Sequence, residues 1–75
     1  MLNKIADAVK NYEIDAIETY VSAALTSGIS AKEILDEGLV KGMDDIGRRF
    51  SSGEVFVPEV LMAANTMQAG MDLIR

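Results

Sequence analysis

Residues 30–60, SAKEILDEGLVKGMDDIGRRFSSGEVFVPEV, hold a long helix, a short turn and the opening of a second helix. Ser30 followed by Glu33 forms a capping-box pattern, which satisfies free N–H groups at a helix start. From there the periodicity predicts a helix from about Ala31 to about Phe50. Leu35, Leu39, Ile46 and Phe50 share one face, with Met43 beside them. Glu33, Glu37, Lys41, Asp44 and Arg48 share the opposite face. Glu37 with Lys41, Asp44 with Arg48, and Asp45 with Arg49 are i,i+4 pairs in the favourable order, as expected of a solvated helix face. Pro58 suits the first position of the following helix, and Glu59 suits its positive end.

Working outward, the same periodicity continues on both sides. Leu2, Ile5, Val9 and Tyr12 define a short first helix. Ile14, Ile17, Val21 and Ala24 or Leu25 define a second. The break TSGIS follows, with Gly28 suited to the left-handed residue after a helix end. The last helix carries one apolar stripe of Val60, Ala64, Met67, Met71 and Ile74. A second stripe of Met62, Ala69 and Leu73 lies on the far side, with Thr66 between them. A helix apolar on two sides needs cover on two sides. No strand pattern or linker interrupts the chain. The expectation is an all-α, compact four-helix bundle of mostly antiparallel neighbours, with breaks near Asn11, at residues 28–29 and at residues 51–56.

Gly38, Gly42 and Gly47 lie inside the third helix, where each costs about 1 kcal/mol relative to alanine. Close helix–helix packing is the ordinary reason for such glycines. The alternative is a smooth surface for a bulky ligand.

The 75 residues make one small domain of net charge −5, without cysteine or histidine. Thiolate chemistry, histidine general-base catalysis and Ser-His-Asp or Cys-His arrangements are therefore excluded within these residues. Seven basic residues against twelve acidic ones argue against a nucleic-acid surface. No stretch reaches membrane-spanning length, and a cytoplasmic location is the expectation. Glu54, Glu59, Asp44 and Asp45 could meet a hard cation but lack a metal-loop spacing. Met67 and Met71 suit core filling. No residue marks a reaction centre.

One feature of composition stands apart. The chain has only four aromatics, yet FSSGEVFVPEV, residues 50–60, brings two phenylalanines and three valines around a Ser-Ser-Gly turn. Surface turns are normally polar. Such a turn either folds into a core or presents an apolar face outward.

The stretch EGLVKGMDDIGRRFSSGEVFVPEVLMAANTMQAGMDLI, residues 37–74, resembles the helical cap domain of cobalamin-binding corrinoid proteins. These are the methyl-carrying subunits of methylamine and methanol methyltransferase systems, and the related module of cobalamin-dependent methionine synthase. Gly38-Leu39, Gly42-Met43, Ile46-Gly47, Phe50, Gly53-Glu54 and Phe56-Val57-Pro58 match that pattern in order and spacing. Residues 8–35 fit its first two helices more loosely.

The resemblance implies a single cap domain over residues 1–75 that shields the upper face of the corrinoid and its cobalt-bound methyl group. The shielding positions would be Phe50, Val57 and Val60, with Val57 standing where leucine is common; Phe56 is expected in the core. The resemblance also implies two kinds of partner: a Rossmann-like corrinoid-binding domain bearing Asp-x-His-x-x-Gly, and methyltransferase proteins. Without a histidine, these 75 residues cannot supply that motif.

Two other readings compete. An acyl carrier would need Asp-Ser-Leu at a helix start, which neither Ser27 nor Ser30 satisfies. A plain interaction bundle would use the second stripe of the last helix and need no cofactor. For the chain alone, a homodimer covering either the last helix or the residue 50–60 turn is expected.

Overall fold

The computed structural model describes residues 1–74, and four helices account for most of them. Helix α1 spans Leu2–Lys10 and α2 spans Ile14–Thr26. Helix α3 is α-helical over Ala31–Ile34, π-helical over Leu35–Leu39 and α-helical again over Val40–Ser52. Helix α4 spans Val57–Asp72. No strand occurs among the described residues. The fold is the expected all-α bundle.

The turns follow local chemistry. Three helix ends close in the same way, with a left-handed residue just past the end. The N–H of the next residue then bonds to a carbonyl five positions back: Glu13 to Ala8, Ile29 to Ala24, and Glu54 to Arg49. Glycine supplies the left-handed residue twice, Gly28 at φ +95° and Gly53 at φ +83°. Tyr12 adopts φ +61° in the third case, a conformation costly for a side chain. It is held there by packing its half-buried ring against the core. At the start of α3, the Glu33 N–H donates to Ser30 Oγ at 3.1 Å. Ser30→Ala is therefore expected to lower stability by about 1 kcal/mol, measurable as a reduced midpoint in urea. An unchanged midpoint would mean that water replaces the cap at no cost. At the start of α4, the Phe56 N–H donates to Glu59 Oε2 at 3.0 Å. Pro58 is the second residue of α4, one later than expected, because Val57 already has helical geometry.

The core consists of Ile5, Ala8, Val9, Ile17, Val21, Ala24, Ile34, Leu39, Ile46 and Ala63, all fully buried. Several sequence expectations are corrected here. On α2 it is Ala24 that is buried, while Leu25 and Ile14 stay exposed. Ile34 was not on the expected face of α3. The π-turn explains it: a wider i→i+5 turn brings Ile34 and Leu39, five positions apart, to one side. On α4 the buried line is Ala63, Thr66 and Gly70, running between the two apolar stripes rather than along either. Small residues there let neighbouring helices come close, and the Thr66 hydroxyl is satisfied by donating to the Met62 carbonyl at 2.9 Å. Lys41 meets Glu37 at 3.0 Å and Arg49 meets Asp45 at 2.8 Å, as expected, but Arg48 reaches Asp45 at 3.7 Å rather than Asp44.

The glycines of α3 separate by role. A Cβ on Gly38 would lie 2.9 Å from Ile5 Cγ2. One on Gly42 would lie 2.6 Å from Val9 Cβ and 2.8 Å from the Ala6 carbonyl oxygen. These two glycines set the approach of α1 to α3. A Cβ on Gly47 would meet no described atom within 4 Å.

Candidate functional site

At 1.5 Å per residue, α3 is about 33 Å long, close to the 37 Å long axis of the molecule. The nine residues of α1 and the thirteen of α2 are shorter. They cannot cover the whole hairpin made by α3 and α4. The last buried residue of α3 is Ile46 and the first of α4 is Ala63. Among the described residues, none from 47 to 62 is buried. The end of the α3–α4 hairpin therefore stands clear of the core.

That tip is apolar. Phe50, on the last turns of α3, is 47% exposed, and Val57, at the start of α4, is 56% exposed. Val60 is half-buried and packs its inner side on the core. These expected site residues thus sit on the two arms of one hairpin, joined by the turn at Gly53. Phe56, expected in the core, is the correction: it is 67% exposed. It occupies the N-cap of α4 with extended backbone, φ −115° and ψ 176°, and a residue in that conformation lies outside the helix's inward periodicity. Leu61, which lies outside the matching pattern, is 59% exposed. Its signal was available, since it follows Val57 by one helical turn and so shares its face.

Elsewhere, a charged groove of about 610 Å³ lies between α1 and α3, lined by Asn3, Ala6, Asp7, Lys10, Lys41, Asp44, Asp45 and Arg48. Lys10 pairs with Asp7 at 3.1 Å inside it. A smaller apolar cleft of about 270 Å³ is lined by Ala31, Lys32, Leu35, Met71 and Ile74. Among the described residues, no group of three or more acidic side chains is placed to hold a metal ion. No helix among them is long and apolar enough to cross a membrane.

The family described as "B12 binding domain" matches residues 1–75, the whole chain. The chain belongs to the B12 binding domain family. It is 32% identical to the trimethylamine corrinoid protein of Methanosarcina barkeri over 74 residues, covering 99% of this chain and 34% of that protein. It is 35% identical to the dimethylamine corrinoid protein of the same organism over 75 residues, covering 100% of this chain and 35% of that protein. The solved monomethylamine corrinoid protein of M. barkeri superposes with a TM-score of 0.92 at 29% identity, over 96% of this chain and 34% of that one. The chain thus spans about a third of the length of the relatives it matches. Its fold is that of the helical cap of corrinoid proteins.

Within this B12 binding domain the tip is chemically simple. It offers aromatic and aliphatic side chains, with Glu54 and Glu59 as its acids and Arg48 and Arg49 behind Phe50 on α3. It contains no nucleophile–base pair. A surface of this kind can cover, exclude water and present shape.

Proposed function

We propose that the hairpin tip lies over the upper face of a corrinoid and shields its cobalt-bound methyl group during methyl transfer, with Phe50, Val57 and Val60 in contact. The observation that carries this is the stretch 47–62, apolar yet without a buried residue, in a chain of the B12 binding domain family. The residues fit the group as a cover: a flat macrocycle face takes aromatic and branched aliphatic side chains, and Phe50 and Val57 are held outward at the end of two rigid helices. They do not fit as cobalt ligands, since the chain has no histidine or cysteine. When bound, the corrinoid supplies the methyl-carrying cobalt. The chain's own residues keep water from that face. The grip on the cofactor then belongs to a Rossmann-like domain, and the reactions to methyltransferase partners, as in a methylamine or methanol system.

Titration of cobalamin into the 75-residue chain tests where the grip lies. Burying one phenylalanine and two valines contributes about 1.5–3 kcal/mol each at most. Contact with one flat face realises part of that, against a rigid-body cost of about 4–15 kcal/mol. Weak or undetectable binding is expected, and submicromolar affinity would overturn the division of labour. Alone, the chain is expected to form a two-fold dimer through the tip, where Arg48 and Arg49 of one copy can face Glu54 and Glu59 of the other. Sedimentation at tens of micromolar would show it; a monomer with Phe50 solvated would not fit.

A further inference from the structure

Two of the three glycines within α3 have a reason inside the fold. Gly38 and Gly42 admit α1, which leaves no room there for a Cβ. Gly47 has no such reason: no described atom lies within 4 Å of an added Cβ, and the residue is exposed. It lies inside α3, short of the left-handed Gly53 that ends the helix, so neither a turn nor a cap requires it. Glycine in a helix interior costs stability relative to alanine, and nothing within the bundle offsets that cost at this position.

The position opens outward beside the tip. Val40, Met43, Gly47 and Phe50 recur at spacings of three, four and three, so they share one side of α3. None of them is charged, although Lys41, Asp44, Asp45, Arg48 and Arg49 fall between them in sequence. Met43 packs its inner side on the core, while Val40 is 36% and Phe50 is 47% exposed. Gly47 stands about one helical turn before Phe50. This side of α3 therefore carries apolar groups on either side of a place where the helix backbone is bare.

We infer that Gly47 belongs to the corrinoid contact: the bare backbone of α3 meets the macrocycle beside Phe50, where a side chain would hold the two apart. The inference rests on the reading of the tip as a corrinoid cover and extends that cover from side chains to backbone. Glycine is the residue that lets a ligand approach a backbone closely. A rigid ring cannot fold around a side chain as a flexible peptide can, and the uncharged side of α3 suits an apolar ring.

The test compares Gly47→Ala and Gly47→Leu with Arg48→Leu, a control at the next residue, 79% exposed and turned away from this side of α3. In a longer polypeptide that holds methylated corrinoid, photolysis or oxidation of the cofactor is followed by its absorbance. Gly47→Ala is expected to speed the loss several-fold and Gly47→Leu about tenfold or more, as for an added group forced into a fitted contact. Arg48→Leu is expected to leave the rate at that of the parent. Thermal melts of the 75-residue chain give the second readout. There Gly47→Ala is expected to melt above the parent, so protection falls while stability rises, a combination that a purely structural role does not produce. If Phe50→Ala speeds photolysis but both Gly47 variants behave like the parent, Gly47 makes no contact and the inference is overturned while the cover stands. If Phe50→Ala also behaves like the parent, the cover itself fails and the inference with it. Equal acceleration by Arg48→Leu, or a lower Tm in Gly47→Ala, would likewise overturn the inference.

Discussion

Gly42→Leu is expected to abolish the cooperative fold, whereas Gly47→Ala, five residues further along the same helix, is expected to raise stability. Even a Cβ at position 42 would lie 2.6 Å from Val9 Cβ and 2.8 Å from the Ala6 carbonyl oxygen. Neither atom is the free end of a flexible side chain, so relief requires α1 to move away from α3. That movement would open the contacts of Ile5 and Val9, two fully buried residues. Overpacking with smaller groups typically costs about 1–3 kcal/mol. A leucine at a helix crossing without room for a methyl exceeds that range. The loss approaches the roughly 4–11 kcal/mol of total stability expected of 75 residues. At Gly47 no described atom lies within 4 Å of the added Cβ. Alanine there gains helix propensity of about 1 kcal/mol without a clash, which for a domain of this size is about 4–8 °C in Tm. Thermal melts followed by circular dichroism distinguish the two. A Gly42→Leu chain melting like the parent would mean that the α1–α3 contact is not the one described.

Ile46→Ala and Phe50→Ala are expected to separate stability from function along one stripe of α3. The two residues are one helical turn apart. Ile46 is fully buried and Phe50 is about half exposed. Truncating Ile46 leaves a cavity and is expected to cost about 2–5 kcal/mol. Truncating Phe50 is expected to cost under about 1 kcal/mol, as for surface positions generally. In a longer polypeptide that holds the corrinoid, the order reverses. There Phe50→Ala is expected to speed photolysis or oxidation of the methylated cofactor, because water and oxygen reach the uncovered face. If Phe50→Ala instead unfolds the bundle and leaves the cofactor's reactivity unchanged, Phe50 is core and the proposed cover is wrong.

At the tip, composition and spacing mark some residues and leave others unmarked. Phe50, Val57 and Val60 could be singled out because apolar residues in a turn break a compositional rule, and because their spacing resembles a known pattern. Phe56 could not be placed the same way. It shares the composition of its neighbours, and its exposure follows from an extended backbone at the head of α4. Leu61 lies outside the matching pattern, and only its spacing of one helical turn from Val57 marks it as part of the same exposed face.

Local chemistry settled the four helices and their breaks. Ser30 caps a helix, Gly28 and Gly53 take positive φ, Pro58 opens a helix, and apolar residues recur every three or four positions. Each signal depends on a handful of consecutive residues, so the sequence alone carries it. Tertiary structure decided which residues those helices bury. Periodicity orders side chains around a helix axis but says nothing of how far a neighbouring helix extends along it. That is why Gly42 is packed and Gly47 is open. It is why Ala63, Thr66 and Gly70, rather than the bulkier stripes beside them, form the buried seam of α4. It is also why Ile34 joins the core, through a π-turn whose wider spacing no α-helical wheel contains. The hairpin tip is exposed because α1 and α2 end before it does, and burial requires a neighbour.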